Sequence, residues 1–256
     1  MDKKSFLNLI QFEDKNLLSN IYDKIKLSEK IADSVFTNEF CTPNLWKAIV
    51  NLKEEFGTNV YTYGIFDECE RRVLAFSKEE VNYYPVKLVK ITNKSRFEVL
   101  SHRDFLGAIM GLGIKREKFG DLVVKDNICY GAFFEDIYDY VLYNLNFIGR
   151  CPCEVELIEE WNPLEIRANR EALSIITTSL RLDCIVGSIC NISRSKAVDI
   201  INSGKVLLDY AQAIEKNETV EFDSMITIRG YGKFKILEQV GSTQKGRLKL
   251  NVSKYM

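Results

Sequence analysis

Apolar residues in the first 56 positions recur every three to four residues, which is the period of an amphipathic helix. One stripe covers residues 17–27, and another covers residues 45–52 just after Pro43, a residue type favoured at a helix start. From about residue 59 the apolar residues alternate with polar ones or form short runs, as they do in β-strands. The pattern therefore predicts a helical N-terminal segment followed by a mixed region.

The mixed region, residues 57–160, interleaves predicted strands with predicted helices. Ser101 and Asp104 form a capping box that marks the start of one helix, and residues 134–145 have helical spacing again. The predicted strands cover residues 60–66, 73–76, 86–91, 122–124, 128–132 and 153–158. This order indicates an α+β sandwich with the helices on one face of a sheet, an RRM-like arrangement.

Two short helices are predicted in the last third of the chain. Ser179 is a plausible N-cap of the first helix and Ser193 of the second, which Gly204 ends. Strands are predicted over residues 173–177, 225–235 and 247–252. The predicted domains are a helical segment (1–56), an RRM-like α+β domain (57–160), a linker (161–178) and a C-terminal domain of helices and strands (179–256).

Cations crowd the N-terminal ends of these two helices. Arg181, Arg194 and Lys196 lie there, although the helix macrodipole disfavours positive charge in a first turn. A bound anion would remove this conflict, because helix N-termini present free N–H groups to phosphate. The alternative is a set of solvated charges offset by Asp183 and Asp199. The combined order of charges and helices indicates a candidate RNA-binding module.

The same order of residues resembles the S4 RNA-binding domain. The matching residues are Arg181-Leu-Asp183, Ser193-Arg-Ser-Lys-Ala197 and Gly204-Lys-Val206. S4 domains place two helices against a small sheet and use the basic face on structured RNA. Where they usually have an Asn-Gly hairpin, this chain has Asp209-Tyr210. The resemblance implies RNA contacts by Arg181 and Arg194 first, and by Ser193, Lys196 and Lys205 next.

A second resemblance covers about residues 45–250. Residues 100–125, which include Ser101-His-Arg-Asp104 and Lys115-Arg-Glu-Lys118, are similar to the signature of the YlmH-type proteins, bacterial factors with an N-terminal α/β domain and a C-terminal S4 domain. The tail of that family resembles residues 229–235 and 245–247. The resemblance therefore adds Arg229, Lys233, Lys235, Lys245 and Arg247 to the candidate RNA-binding residues.

The YlmH-type resemblance also implies a function. It implies binding of rRNA on the large ribosomal subunit together with tRNA, in rescue or quality control of stalled complexes, and genes that lie among cell-division genes. A second RNA surface is a further hypothesis, and its residues are His102, Arg103, Lys115, Arg116 and Lys118. The alternative for these residues is a capped helix followed by a solvated loop.

The composition adds a charge asymmetry to this picture. The 256 residues have a formal net charge of −1, but residues 181–256 hold twelve Lys or Arg and eight Asp or Glu, whereas residues 1–180 hold 23 and 28. A basic C-terminal third suits an anionic partner bound mainly at one end.

The remaining composition does not indicate a disulfide-bonded, metal-binding or membrane-spanning protein. Seven cysteines at irregular spacing predict reduced, buried thiols. A single His and one close cysteine pair, Cys151-Pro-Cys153, give no expectation of a metal. Neither a signal peptide nor a membrane-spanning apolar run is visible, so we expect a soluble cytoplasmic protein.

Three functions stay open at this point. The first is a non-enzymatic RNA-binding protein that needs no cofactor, metal or small-molecule substrate. The second is an RNA-modifying enzyme anchored by its S4 domain. A pseudouridine synthase would need a catalytic Asp in a Gly-Arg-Leu-Asp motif of its own domain, and a methyltransferase would need a Gly-rich loop, but Gly-x-Gly-x-x-Gly does not occur. The third is a protein-interaction adaptor in cell division.

Overall fold

The structure is a computed structural model that describes residues 1–66, 69–160, 166, 170–213 and 215–255. The chain divides into two compact units, residues 1–167 and residues 168–256. Each unit combines helices with antiparallel sheets, so the predicted α+β fold class is confirmed.

Seven α-helices occur in the described residues. They are α1 (Lys3–Leu9), α2 (Lys15–Ser28), α3 (Pro43–Asn51), α4 (His102–Gly111), α5 (Glu135–Asn144), α6 (Leu182–Cys190) and α7 (Arg194–Asn202). Two short 3₁₀ turns follow α3 and α4, at Lys53–Glu55 and Arg116–Lys118.

Among the described residues, the strands form three sheets. In the first unit they are β1 (Val35–Phe36), β2 (Asn59–Tyr63), β3 (Val73–Ser77), β4 (Val86–Asn93), β5 (Phe119–Lys125), β6 (Ile128–Phe134), β7 (Phe147–Ile148) and β8 (Cys151–Ile158). In the second unit they are β9 (Arg170–Thr177), β10 (Val206–Leu208), β11 (Ala211–Gln212), β12 (Met225–Ile228), β13 (Gly232–Ser242) and β14 (Leu248–Tyr255).

The N-terminal helices pack on a three-stranded sheet of order β1-β3-β2. Asp14 caps α2 by accepting hydrogen bonds from the backbone N–H groups of residues 16 and 17, and α3 begins at Pro43 as predicted. In the α2 stripe, Leu18, Ile21 and Ile25 are buried, Leu17 is half-buried and Leu27 is 47% exposed. Since β3 pairs with both β1 and β2, the expected boundary between residues 56 and 57 runs through this sheet.

A five-stranded sheet of order β5-β6-β4-β8-β7 follows in the same unit. Both α4 and α5 contribute to one core cluster on this sheet, through Phe105, Ile109 and Val141. The predicted capping box at the start of α4 is confirmed, because the Ser101 N–H donates to Asp104 Oδ2 at 2.8 Å. The arrangement has the helices on one face, as the sequence pattern predicts.

The second unit has a six-stranded sheet of order β11-β10-β12-β13-β14-β9, with α6 and α7 on one face. Strand β9 pairs with β14 along its whole length, so residues 170–177 of the expected linker belong to this sheet. Of the other linker residues, 161–165 and 167–169 lie outside the described residues. The single strand predicted over 225–235 is wrong: β12 and β13 form a hairpin, in which Gly230 has a φ of +91°.

All seven cysteines are free, and five of them are buried. Burial raises the pKa of the Cys41 and Cys69 thiols to about 12, which keeps both protonated at neutral pH. Within the described ranges, no helix is long and apolar enough to cross a membrane, and no group of three or more His, Cys, Asp or Glu could hold a metal ion.

Asp209 and Tyr210 form the two-residue turn between β10 and β11. Both residues have positive φ, 47° and 71°, the geometry that Asn-Gly usually supplies in such hairpins. The Asp209 carboxylate stabilises the turn from the side, since it accepts hydrogen bonds from the Met225 N–H at 2.8 Å and the Ser224 hydroxyl at 2.9 Å. These bonds tie the turn to the start of β12.

We predict that Asp209→Ala lowers the free energy of unfolding by about 1–3 kcal/mol, because a backbone N–H and a hydroxyl lose their acceptor at a strained turn. Urea denaturation followed by circular dichroism measures this change. Asp199→Ala, which removes an exposed carboxylate from α7, is the matched control and should be within about 0.5 kcal/mol of wild type. Equal losses in both variants would contradict a specific role for Asp209.

Candidate nucleic-acid interface

The N-terminal ends of α6 and α7 lie in different environments. The first helix begins at Leu182, and its N-cap is Arg181 in an extended conformation, so the N-cap predicted at Ser179 is wrong. The Ser193 cap of α7 is confirmed, because its hydroxyl oxygen accepts a hydrogen bond from the Lys196 N–H at 3.3 Å. The loop that contains residues 216–218 explains why the start of α6 differs from the start of α7.

Backbone carbonyls from residues 216–218 occupy the start of α6. The Leu182 N–H donates to the Glu218 carbonyl at 2.9 Å, and the Asp183 N–H donates to the Lys216 carbonyl at 3.1 Å. These two N–H groups are therefore already bonded. The expectation that phosphate binds to free N–H groups at both helix starts is wrong for α6, and the side chains become the candidate contacts.

The Asp183 carboxylate accepts hydrogen bonds from both arginines that are the first candidates for RNA contacts. Arg181 donates from Nε to Asp183 Oδ1 at 3.2 Å and from Nη2 to Oδ2 at 3.0 Å. Arg194, from the first turn of α7, donates from Nε and Nη2 to the same Oδ2 at 3.0 and 2.9 Å. One carboxylate thus holds the guanidinium groups of two helix starts side by side.

The electrostatics of this trio favour its charged form. The Asp183 side chain is 1% exposed, while those of Arg181 and Arg194 are 38% and 58% exposed. Burial opposes ionisation of Asp183, but the hydrogen bonds from both arginines outweigh it and hold the pKa of this carboxyl well below its usual range. The hydrogen bond to Asp183 also raises the pKa of Arg181. Two cations and one anion leave a net charge of +1.

This arrangement is suited to an external oxyanion. The bonds to Asp183 use Nε and Nη2 of each arginine and do not use either Nη1. A guanidinium carries five N–H donors in a rigid plane that matches phosphate geometry. Because Asp183 already fixes both planes, a phosphate at this position would not have to order two flexible side chains.

The other predicted residues of the second unit are spread over its surface. Ser193, Lys196 and Lys205 are exposed, and Arg229 lies beside Lys205, whose carbonyl accepts the Arg229 N–H at 2.9 Å. Lys233 and Lys235 lie on β13, where Lys235 pairs with Asp223 at 2.8 Å.

Lys245 and Arg247 lie in the turn between β13 and β14, beyond the far end of β13 from Lys233. A strand rises about 3.3 Å per residue, so this turn lies roughly 30 Å from Lys233. The structure therefore brings Arg181 and Arg194 together, but it does not assemble all the predicted residues of this unit into one patch.

The predicted second RNA surface is not assembled either. Arg116 donates from Nη1 to the carbonyls of Phe119 and Gly120 at 2.7 and 2.9 Å, and its burial lowers its pKa to about 10. Lys118 donates to the Asn38 carbonyl at 2.8 Å. Both side chains therefore form hydrogen bonds to the backbone of the protein itself.

The other three residues of that surface lie at the two ends of α4. His102 and Arg103 are in the first turn, and Lys115 lies beyond the last. A helix of this length measures about 15 Å, so the residues do not form one cluster.

Comparisons with known proteins find a family model, a relative and a solved structure that are similar to parts of this chain. Residues 79–161, which include β4 to β8, match a family model described as "Putative RNA-binding domain in YlmH". The "Ribosome-associated protein quality control protein P2" of Bacillus subtilis (strain 168) is 29% identical over 189 residues, which cover 72% of this chain and 73% of that protein.

A solved structure, "Cell division protein ylmH from Streptococcus pneumoniae", is 24% identical, covers 58% of this chain and 93% of its own, and has a TM-score of 0.48. By its own helices and sheets the chain is an α+β protein, and its central sheet matches the family model described as an RNA-binding domain. The predicted resemblance to the YlmH-type family is confirmed.

Sequence reasoning treated Asp183 as an offsetting charge and as part of the Arg-Leu-Asp motif, whereas the structure makes it the centre of the site. We predict that Asp183→Asn lowers the free energy of unfolding by about 1–3 kcal/mol at pH 7, because two charge-assisted interactions lose their anion. Urea denaturation at neutral and acidic pH measures this difference.

The pH dependence has a definite sign. Since the folded pKa of Asp183 is lowered, its stabilising contribution is complete above the unfolded pKa of about 3.9 and is lost as the pH falls from there towards the folded pKa. The difference between wild type and Asp183→Asn should therefore shrink below about pH 4. Equal stability at pH 7, or a difference that grows on acidification, would contradict this account.

Proposed function

We propose that this protein binds structured RNA in ribosome-associated quality control, and that it acts by binding, without catalysis. Residues 179–256 would form an S4-type module that contacts rRNA or tRNA on the large ribosomal subunit. The match of residues 79–161 to an RNA-binding domain and the name of the Bacillus subtilis relative support this proposal.

The observation that carries the proposal is the pair of arginines held by one buried carboxylate. Double-stranded RNA is recognised mainly through its shape and its phosphates and 2′-hydroxyl groups, because its major groove is too narrow for side chains to read. Fixed guanidinium planes suit such contacts, since they bind phosphate oxygens in a defined orientation. Exposed Lys196 beside Arg194 adds positive charge at the same helix start.

The environment of Asp183 disfavours a pseudouridine synthase, one form of the modifying-enzyme alternative. Asp183 is the Asp of the Arg-Leu-Asp motif, and a synthase would need such a carboxylate to reach a substrate. Here the side chain is 1% exposed and engaged by two arginines, which suits positioning of the arginines. No specific observation favours the adaptor alternative.

We predict that Arg194→Ala and Arg181→Ala each weaken binding to purified large ribosomal subunits about tenfold, as expected for a lost charge-assisted contact. Co-sedimentation through sucrose over a range of protein concentrations measures the affinity. Lys4→Ala, which removes an exposed cation from α1, is the matched control. Unchanged co-sedimentation of both arginine variants would contradict the site assignment.

Binding should also depend steeply on salt. If about four cations neutralise phosphates, the logarithm of the affinity should fall with the logarithm of the salt concentration at a slope of roughly −3. Loss of Arg194 should make the slope shallower by about one. Titrations of wild type and Arg194→Ala against large subunits in increasing KCl measure both slopes, and an affinity independent of salt would contradict a phosphate contact.

A further inference from the structure

The sheet of the second unit has a face that the helices do not cover. Side chains alternate between the two faces of a strand. Phe234 and Ile236 of β13 belong to the core that includes α6 and α7, so Lys233 and Lys235 lie on the opposite face. By the same alternation, Tyr255 of β14 and Arg170 of β9 lie on this helix-free face, because their neighbours Leu250, Val252, Leu173 and Ile175 belong to the core.

Strand pairing places four of these side chains in one row. Lys233 is paired with Tyr255, and Tyr255 is paired with Arg170, across β13, β14 and β9. Tyr210, from the turn after β10, closes the row on the other side of Lys233, where its hydroxyl accepts a hydrogen bond from Lys233 Nζ at 3.0 Å. We call Tyr210, Lys233, Tyr255 and Arg170 the aromatic–cation row.

Rings and cations alternate within the row at contact distance. Lys233 Nζ lies 4.6 Å from the ring centre of Tyr210 and 5.4 Å from that of Tyr255. The guanidinium carbon of Arg170 lies 4.7 Å from the ring centre of Tyr255. These cation–π contacts fix Lys233 of β13 and Arg170 of β9 on either side of Tyr255, whose strand β14 lies between theirs.

Exposure varies around the row: Arg170 is exposed, Lys233 and Tyr255 are half-buried, and Ser253 on the same face of β14 is buried. Ala172 and Ser174, which follow Arg170 on the same face of β9, are small and exposed. Lys235, two residues along β13 from Lys233, adds a third cation to this face and is held by Asp223 at 2.8 Å. Proteins that bind single-stranded nucleic acid combine aromatic side chains, on which bases stack, with cations that follow the backbone. Arginine planes accept unpaired bases in the same way.

We infer that the aromatic–cation row is a second RNA contact, which takes an unpaired strand and is separate from the Arg181–Arg194 pair. The inference rests on the proposed RNA-binding function and extends it by the kind of RNA bound. The two contacts differ in chemistry: fixed guanidinium groups at the helix starts suit the backbone of a folded RNA, whereas alternating rings and cations on the face of a sheet suit unpaired bases. RNA that joins a helix to a single-stranded segment would engage both.

The test uses the full chain and two labelled RNA probes, a uridine strand of about 15 nucleotides and a hairpin of about 12 base pairs. Fluorescence anisotropy measures the affinity of each variant for each probe. We expect the double variant Arg170→Gln/Lys233→Gln to lose about tenfold in affinity for the single strand and less than about twofold for the hairpin. Arg194→Gln should show the opposite preference. Lys249→Gln removes an exposed cation from the same sheet face outside the row and is the matched control.

A second pair of variants distinguishes the loss of a stacking ring from a loss of the fold as the cause of weaker binding. Tyr255→Phe keeps the ring and should retain single-strand affinity, whereas Tyr255→Leu should lose it, with circular dichroism confirming that both variants are folded. If the double variant and Tyr255→Leu are folded and keep wild-type affinity for the single strand while Arg194→Gln loses the hairpin, the row is not an RNA contact and the proposed function stands. If wild type binds neither probe nor large subunits, both proposals fail.

Discussion

The carboxylate of Asp183 is the group on which the geometry of the candidate site depends. Taking a carboxylate out of water is costly unless cations and hydrogen bonds compensate it. Here the compensation comes from the starts of two different helices, so the charge that stabilises the anion also fixes where the two arginines point. Removal of the anion would leave Arg181 and Arg194 as two mobile, mutually repelling side chains.

The packing of α6 against α7 supports the same geometry. Gly187 lies where the two helices approach closely: a Cβ atom there would meet the Ile192 carbonyl oxygen at 3.3 Å and the Ala197 Cβ at 3.8 Å. Buried Leu182, Ile185 and Ala197 complete the contact with the sheet. Small residues at the crossing and a shared carboxylate at the helix starts therefore place Arg194 within reach of Asp183, eleven positions earlier in the chain.

Features that depend on local periodicity could be predicted from the sequence. Three such features each depend on a few neighbouring residues: the apolar stripe of α2, the capping box of α4 and the Ser193 cap of α7. Features that depend on distant partners could not. The start of α6 is set by carbonyls more than thirty residues away, and the assignment of β2, β3 and β9 to their sheets depends on strands elsewhere in the chain.

The candidate site shows the same division between local and distant information. The sequence reveals that Arg181 and Arg194 are cations at helix starts, but not that one buried carboxylate holds both. It also groups Arg116 and Lys118 with exposed cations, although backbone carbonyls bind them. Lys233 is visible as a charge, but its place between Tyr210 and Tyr255 follows only from strand pairing.

A structure of the protein bound to the large ribosomal subunit, determined by cryo-electron microscopy, tests the central claim most directly. The account predicts RNA phosphates within hydrogen-bond distance of both Arg181 and Arg194, with Asp183 still bonded to both side chains. A complex in which the starts of α6 and α7 face solvent or protein, with the RNA bound elsewhere on the chain, would contradict it.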